Sequence, residues 1–171
     1  PALAKQNEDI KGVGLYFYDG NAKIKTRING YNTLEVSGYK GWDEFKQTGF
    51  HFGFGNENAS ANWTHSFNEN LASKTTLIYS KYRYLLGSSF SDANAMEWTS
   101  EVRDAGFKND YTFHLDDNNT VKFGFSGTHH KFSPGLIEPK SNESLFNEYE
   151  LPSNSALEDR KSTRLNSITE Y

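Results

Sequence analysis

Residues 114–132 read HLDDNNTVKFGFSGTHHKF. Asp116–Asn119 is a tight polar corner, because Asx side chains bond their own backbone there. Beyond it, Val121, Phe123 and Phe125 alternate with Lys122, Gly124, Ser126 and Thr128. Successive side chains of a strand point to opposite faces, so one face is apolar and the other polar. In water such a strand lies on a core. In a membrane barrel it separates lipid from a wet lumen.

The same period extends in both directions. From Tyr16 to Ile28, the even file Tyr16, Tyr18, Gly20, Ala22, Ile24, Thr26, Ile28 faces away from the odd file Phe17, Asp19, Asn21, Lys23, Lys25, Arg27, close to strict period two. Asn29-Gly30 marks a hairpin turn, and Leu34, Val36 and Gly38 return opposite Thr33, Glu35 and Ser37. Residues 41–55, GWDEFKQTGFHFGFG, are expected to form a long loop. Phe50, Phe52 and Phe54 fall on the opposite parity from Ala59, Ala61 and Trp63, so a glycine bulge or loop is expected to reset the phase. Asn68–Asn70 is the second tight turn. In the strand after it, Leu77 and Ile78 blur the alternation. Thr76, Ile78, Tyr82 and Tyr84 are expected outward there, with Lys81 and Arg83 inward. Further long loops are expected at 87–95 and 134–149. Between them, Ala105, Phe107, Tyr111, Phe113 and Leu115 form one of the cleanest apolar files.

Short turns and long loops thus alternate, three of each. Tight connections at one end, long ones at the other, and strands near the ~9–11 residues that a tilted membrane strand needs favour an outer-membrane barrel. A soluble β-sandwich or small barrel alternates as well. Trp63, Phe67, Tyr111 and Phe113 lie beside tight turns, where an interfacial aromatic girdle would sit.

Composition narrows the remaining classes. The chain has 171 residues, a net charge of −4 and no cysteine. An acidic balance gives no general affinity for nucleic acid. Disulfides and thiolate zinc sites are excluded. No apolar run approaches the ~18 residues of a membrane helix. Aromatics reach 15 %, which suits pleated, half-buried surfaces.

Candidate chemistry is sparse. His129 and His130 are adjacent on a strand and point apart, so they cannot chelate together. His51, His65 and His114 form no HxH or HExxH pattern. Asp116–Asn119 lacks the spaced acids of a calcium loop. No nucleophile elbow, P-loop or GxGxxG occurs, and no Ser/His/Asp or paired-carboxylate cluster has usable spacing. The expectation is a protein that is not an enzyme, with no catalytic residue, metal or cofactor and an unknown substrate site. Lys23, Lys25 and Arg27 are placed inward, since a cation facing mid-membrane lipid costs roughly 2–4 kcal/mol. Trp42, Phe45, Phe50 and Phe52 are placed around the first long loop, as girdle or loop-core aromatics or as rings that stack on a ligand.

The stretches NASANWTHSFNENLASKTTLIYSKYRY, DAGFKNDYTFHLDDNNTVKFGFSGTHHKFSPG and NEYELPSNSALE resemble the barrel of a TonB-dependent outer-membrane receptor of the kind abundant in Bacteroidetes. YDGNAKIKTRINGYNTLEVSGYKGWDEF resembles the preceding hairpin. The resemblance runs from Gly14 to Glu158. It implies an all-β, antiparallel up-and-down meander: six or seven strands of a transmembrane barrel of about 22. It further implies a bacterial outer-membrane location, contact with outer-membrane lipid, and a plug domain elsewhere in the same chain. The parent would take up a scarce nutrient of the siderophore, cobalamin or glycan class, driven by TonB–ExbB–ExbD. A passive porin-like barrel is the alternative within transport. Residues 1–13 are expected to be a leader or loop, and the chain an internal piece of a longer protein. DRKSTRLNS, Asp159–Ser167, resembles a translated sequencing adapter, so residues 159–171 are expected to be a non-native tail that interrupts the next strand.

Overall fold

The computed structural model describes residues 12–167, with side chains placed through Glu158. Ile168–Tyr171 of the expected tail and Pro1–Lys11 of the expected leader lie outside the described residues. The fold is an all-β antiparallel meander. Its strands are β1 (Gly14–Asn29), β2 (Asn32–Gln47), β3 (Phe50–Ser66), β4 (Leu71–Ser88), β5 (Met96–His114), β6 (Asn119–Pro139), β7 (Tyr149–Glu150) and β8 (Asn154–Ser167). Neighbours in sequence are neighbours in the sheet through β6. The two-residue β7 then pairs with β6 near one end of it, and β8 pairs along the rest. The sheet is not closed, so β1 and β8 each present an outer edge.

Alternation builds these strands, and Asx residues close them at one end. Asn29 Oδ1 accepts the Tyr31 amide at 2.9 Å. Asn68 Oδ1 accepts those of Asn70 and Leu71 at 2.9 and 2.8 Å. Asp116 Oδ1 accepts those of Asn118 and Asn119 at 2.9 and 2.8 Å. Each hairpin closes farther along than the last: Asn32 pairs with His65, Ser66 with Ala72 beyond it, and His114 with Thr120 beyond that. Such stagger is what a tilted, barrel-like sheet requires.

The first expected long loop is not a loop. β2 and β3 run through residues 41–55 and meet at Gln47↔Phe50, joined by Thr48-Gly49. Gly49 takes a φ of +76°, the left-handed conformation that glycine adopts without steric cost. The glycines that suggested a loop instead make room for a ring. A Cβ on Gly53 or Gly55 would lie 2.5 or 2.6 Å from Trp42, which covers both. The third loop is shorter than expected, since β6 continues to Pro139. Its register with β5 shifts between Thr99 and Glu101, opposite the stretch that holds Pro134, and proline in a sheet is found at such irregularities. The alternation of short and long connections therefore survives in two of the three pairs. The expected interruption near Asp159 is also absent, because the backbone of β8 stays paired with β6 from Asn154 to Ser167.

Residues paired across strands share a face, so the registers sort the whole sheet. The face bearing Ile24 carries Val36, Ala61, Leu77 and Phe107 in one cross-strand row. The face bearing Lys25 carries Glu35, Asn62, Thr76 and Lys108. The β4 expectation is thus inverted. Leu77 and Tyr79 join the Ile24 face with Lys81 and Arg83, while Thr76, Ile78, Tyr82 and Tyr84 lie on the Lys25 face. The expected phase reset in β3 does not occur either, because the β2–β3 and β3–β4 registers are unbroken.

Among the described residues nothing packs over either face. Among the described residues no side chain is fully buried, and Ala95 is the only buried apolar one. Ile24 is 70 % exposed and Leu77 53 %. A chain of this size in water would bury well over half of its unfolded surface. This single layer leaves that surface to be covered by something else.

Candidate functional site

The site is a surface with two sides, and each side changes character along the strands. On the Ile24 face, the half nearer the tight Asx turns is mainly apolar, with Thr75 and Asn109 bonded to each other within it at 3.2 Å. Its row through Ala22, Gly38, Ala59, Tyr79 and Ala105 is small apart from Tyr79, and the next carries Ile24, Val36, Leu77 and Phe107. Closer to the turns, Tyr111 stacks on Phe123 at 5.1 Å and 10°. Phe107 meets Phe125 at 5.8 Å, and the Trp63 indole N–H donates to Asn32 at 2.9 Å. An aromatic with one apolar body and one bonded polar tip suits a boundary between apolar and wet surroundings.

Toward the other end the same face becomes charged. Lys40, Glu57, Lys81, Arg103 and Lys131 form one continuous cross-strand row. Lys40 pairs with Glu57 at 2.9 Å, and Lys81 with Glu101 at 3.2 Å. Arg103 also contacts Glu101. At the far rim Lys140 bonds Glu138 at 2.7 Å, the main reason its ammonium is held above its ordinary pKa.

The Lys25 face runs the opposite way. Near the tight turns it is polar and basic. A depression of about 490 Å³ there is lined by Lys25, Arg27, Glu35, Asn62, Thr64 and Lys74, among others. Lys23 bonds Glu35 at 3.0 Å, Ser37 bonds Ser60 at 2.8 Å, and Thr76 donates to Asn62 at 2.8 Å. Toward the far end it turns aromatic: Phe52 lies 5.0 Å from Tyr84 and 5.5 Å from Phe54.

The structure separates the four aromatics expected to gather around a loop. Phe45, Phe50 and Phe52 stand on the Lys25 face, whereas Trp42 stands on the opposite face above Gly55. Sequence reasoning also missed that Tyr82 and Tyr84 belong with the phenylalanines. The switch in parity between Phe54 and Ala59 was the available signal, had it been followed without a bulge.

The histidines stay apart, as adjacency on a strand requires. His130 Nδ1 lies 2.8 Å from Asp104 on the Lys25 face, while His129 lies on the other face beside Leu157. His114 Nδ1 bonds Thr120 at 2.9 Å, and His65 Nδ1 bonds Asn32 at 2.8 Å. No group of three His, Asp or Glu able to hold a metal occurs among the described residues. Asp116 closes its turn. The side-chain amide of Asn119, then the backbone amides of Asn118 and Asn119, hold its carboxyl below the ordinary value of 3.8.

No helix among the described residues is long and apolar enough to cross a membrane. No family model, curated protein or solved structure matches the chain.

Proposed function

We propose that this chain is part of the wall of a transmembrane β-barrel in a bacterial outer membrane. Its parent would be a receptor of the TonB-dependent class that takes up a scarce nutrient. The observation that carries the membrane reading is that the described residues form a single layer without a core, whose apolar band covers part of each strand. In β4 that band runs from Leu71 to Tyr79, with the small polar Ser73 and Thr75 between its apolar residues, and its length is close to the ~9–11 residues that cross the hydrocarbon at a tilt. Lipid would cover the Ile24 face there, and the lumen would wet Lys23, Lys25 and Arg27. The rest of each strand stands clear of the hydrocarbon. Edge strands with unpaired N–H and C=O groups are not tolerated in lipid, so further strands of the parent barrel would flank β1 and β8. The receptor class rests on the resemblance of Gly14–Glu158 to such barrels. The role is transport, with the lumenal face lining a path rather than catalysing a reaction.

Single-tryptophan variants test the membrane reading. Trp63 lies in the apolar band, Trp42 on the same face beyond the charged row, and Trp98 on the other face. Quenching of the bilayer-bound chain by brominated acyl chains should be strong at Trp63 and weak at Trp42 and Trp98. Equal quenching of all three, or a cooperatively folded monomer in plain buffer, sinks the reading. The DNA upstream of Pro1 tests the receptor class. A plug domain with a TonB-contacting box is expected there, and an open barrel without one would favour a passive pore.

A further inference from the structure

The row Lys40–Glu57–Lys81–Arg103–Lys131 is electrostatically lopsided. Lys81, Arg103 and Lys131 are directly opposite one another on three neighbouring strands. Strands lie about 4.8 Å apart, and like charges directly opposite destabilise a sheet. Glu101 answers Lys81 and Arg103 from the adjacent row. Among the described residues no carboxylate lies within ion-pair distance of Lys131 or of Arg83, which is next to Lys81 on the same face. Five cations, Lys40, Lys81, Arg83, Arg103 and Lys131, therefore share this height with two carboxylates, Glu57 and Glu101.

Position gives the imbalance a meaning. The row immediately beyond it toward the tight turns begins the apolar band, with Ala59, Tyr79 and Ala105. Beside the cations the surface is concave. A depression of about 230 Å³ is lined by Lys40, Trp42, Gly55, Glu57, Lys81 and Arg83, among others. Gly55 keeps it open: a Cβ there would lie 2.5 Å from the Gly41 carbonyl oxygen and 2.6 Å from the Trp42 ring. A tryptophan floor, an arginine fork and lysines bordering an apolar band suit an anionic headgroup whose acyl chains continue down that band.

We propose that this row binds the phosphate group of an anionic membrane lipid, seated over Trp42 and Gly55 and bridging Lys40, Lys81 and Arg83, with Arg103 and Lys131 extending the site across the sheet. Charge complementarity and continuity with the apolar band select a lipid over a soluble anion. A soluble phosphate would gain nothing from Ala59, Tyr79 and Ala105. The proposal rests on the membrane reading above, and its test separates the two.

The full chain would be floated with phosphatidylcholine vesicles, and with vesicles that also contain phosphatidylglycerol. Preference for the anionic vesicles is expected, collapsing at high salt as the charges are screened. The double variant Lys81→Gln, Lys131→Gln should lose roughly tenfold or more of that preference, since each cation near an anionic surface contributes about a fivefold factor. Its binding to neutral vesicles and its β-sheet circular dichroism should be unchanged. Lys46→Gln with Lys140→Gln removes the same charge at the far rim and should keep most of the preference. Wild-type binding to both vesicle types alike overturns the lipid site but leaves the membrane reading standing. Binding to neither overturns both. An equal loss in the two double variants reduces the effect to net charge and overturns the site, as does full displacement by inorganic phosphate at matched ionic strength.

Discussion

The two halves of this sheet are built from the same strands and wear opposite coats. Near the Asx turns, Ile24, Val36, Leu77 and Phe107 lie on one face and Lys25, Glu35 and Lys108 on the other. Toward the far ends Phe52, Phe54 and Tyr84 lie where the cations were, and Lys40, Lys81 and Arg83 where the aliphatics were. From β2 to β5 the backbone pairing runs unbroken through both halves, so the inversion there is written in side chains. The lesson is that strand and environment are specified separately. Continuous alternation secures the ladder, and the parity of the apolar residues decides which face is apolar at each height.

The comparison breaks most sharply at Leu77 and Ile78, adjacent residues on opposite faces. Leu77→Arg should cost about 2–4 kcal/mol in a bilayer, the price of a cation facing lipid near its middle. Ile78→Arg should cost less than about 1 kcal/mol, because in the proposed barrel its side chain joins the polar lumenal face. Denaturant midpoints of the vesicle-bound chain measure both, and equal losses would contradict the assignment of faces. A second contrast concerns the far half. Gly55→Val should destabilise by about 1–3 kcal/mol through overpacking against backbone, and Trp42→Ala should not rescue it, since the Gly41 carbonyl still blocks the Cβ. Gly53→Ala meets only the Trp42 ring, so Trp42→Ala should restore its midpoint. Smaller still is the Tyr111–Phe123 stack. A double-mutant cycle to alanine should report about 0.5–1.5 kcal/mol of coupling, and no coupling would mean the rings merely sit side by side.

The smallest effect is a pH dependence at the turn end. The carboxyl of Asp116 is lowered by Asn119 and by two backbone amides, so its stabilisation is fully present above the unfolded value. It disappears as pH falls through the lower folded one. Wild type should therefore lose slightly more stability than Asp116→Asn when acidified below 3.8. Identical acid sensitivity of the two unfolding midpoints would remove Asp116 from the account.

Much of this was legible in the residues. Alternation placed β1 and the turn-side parts of β2, β5 and β6, and clustered Asn and Asp placed the three tight turns; the far part of β2 was read as loop. β4 was not legible alone, because Leu77, Ile78 and Tyr79 are consecutive and apolar. Only pairing of Leu77 with Ala61 settles its facing. The glycines at 53 and 55 misled, since glycine signals a loop locally, whereas here a tryptophan across the strand fills the space. The cationic row was invisible for a similar reason. Lys40, Lys81, Arg103 and Lys131 lie far apart in the chain and become neighbours only through registers that loop lengths set.

The unbroken register of β3 carries a consequence for how such a chain can change over generations. Because no bulge separates its halves, both coats are timed by one clock. Inserting a single residue between Phe54 and Ala59 would put one half out of phase with the other, and with every strand paired to it. Inserting two would only shift heights. Lineages of this sheet should therefore gain and lose strand residues in pairs, and tolerate odd changes only at the connections, where the count is free to slip.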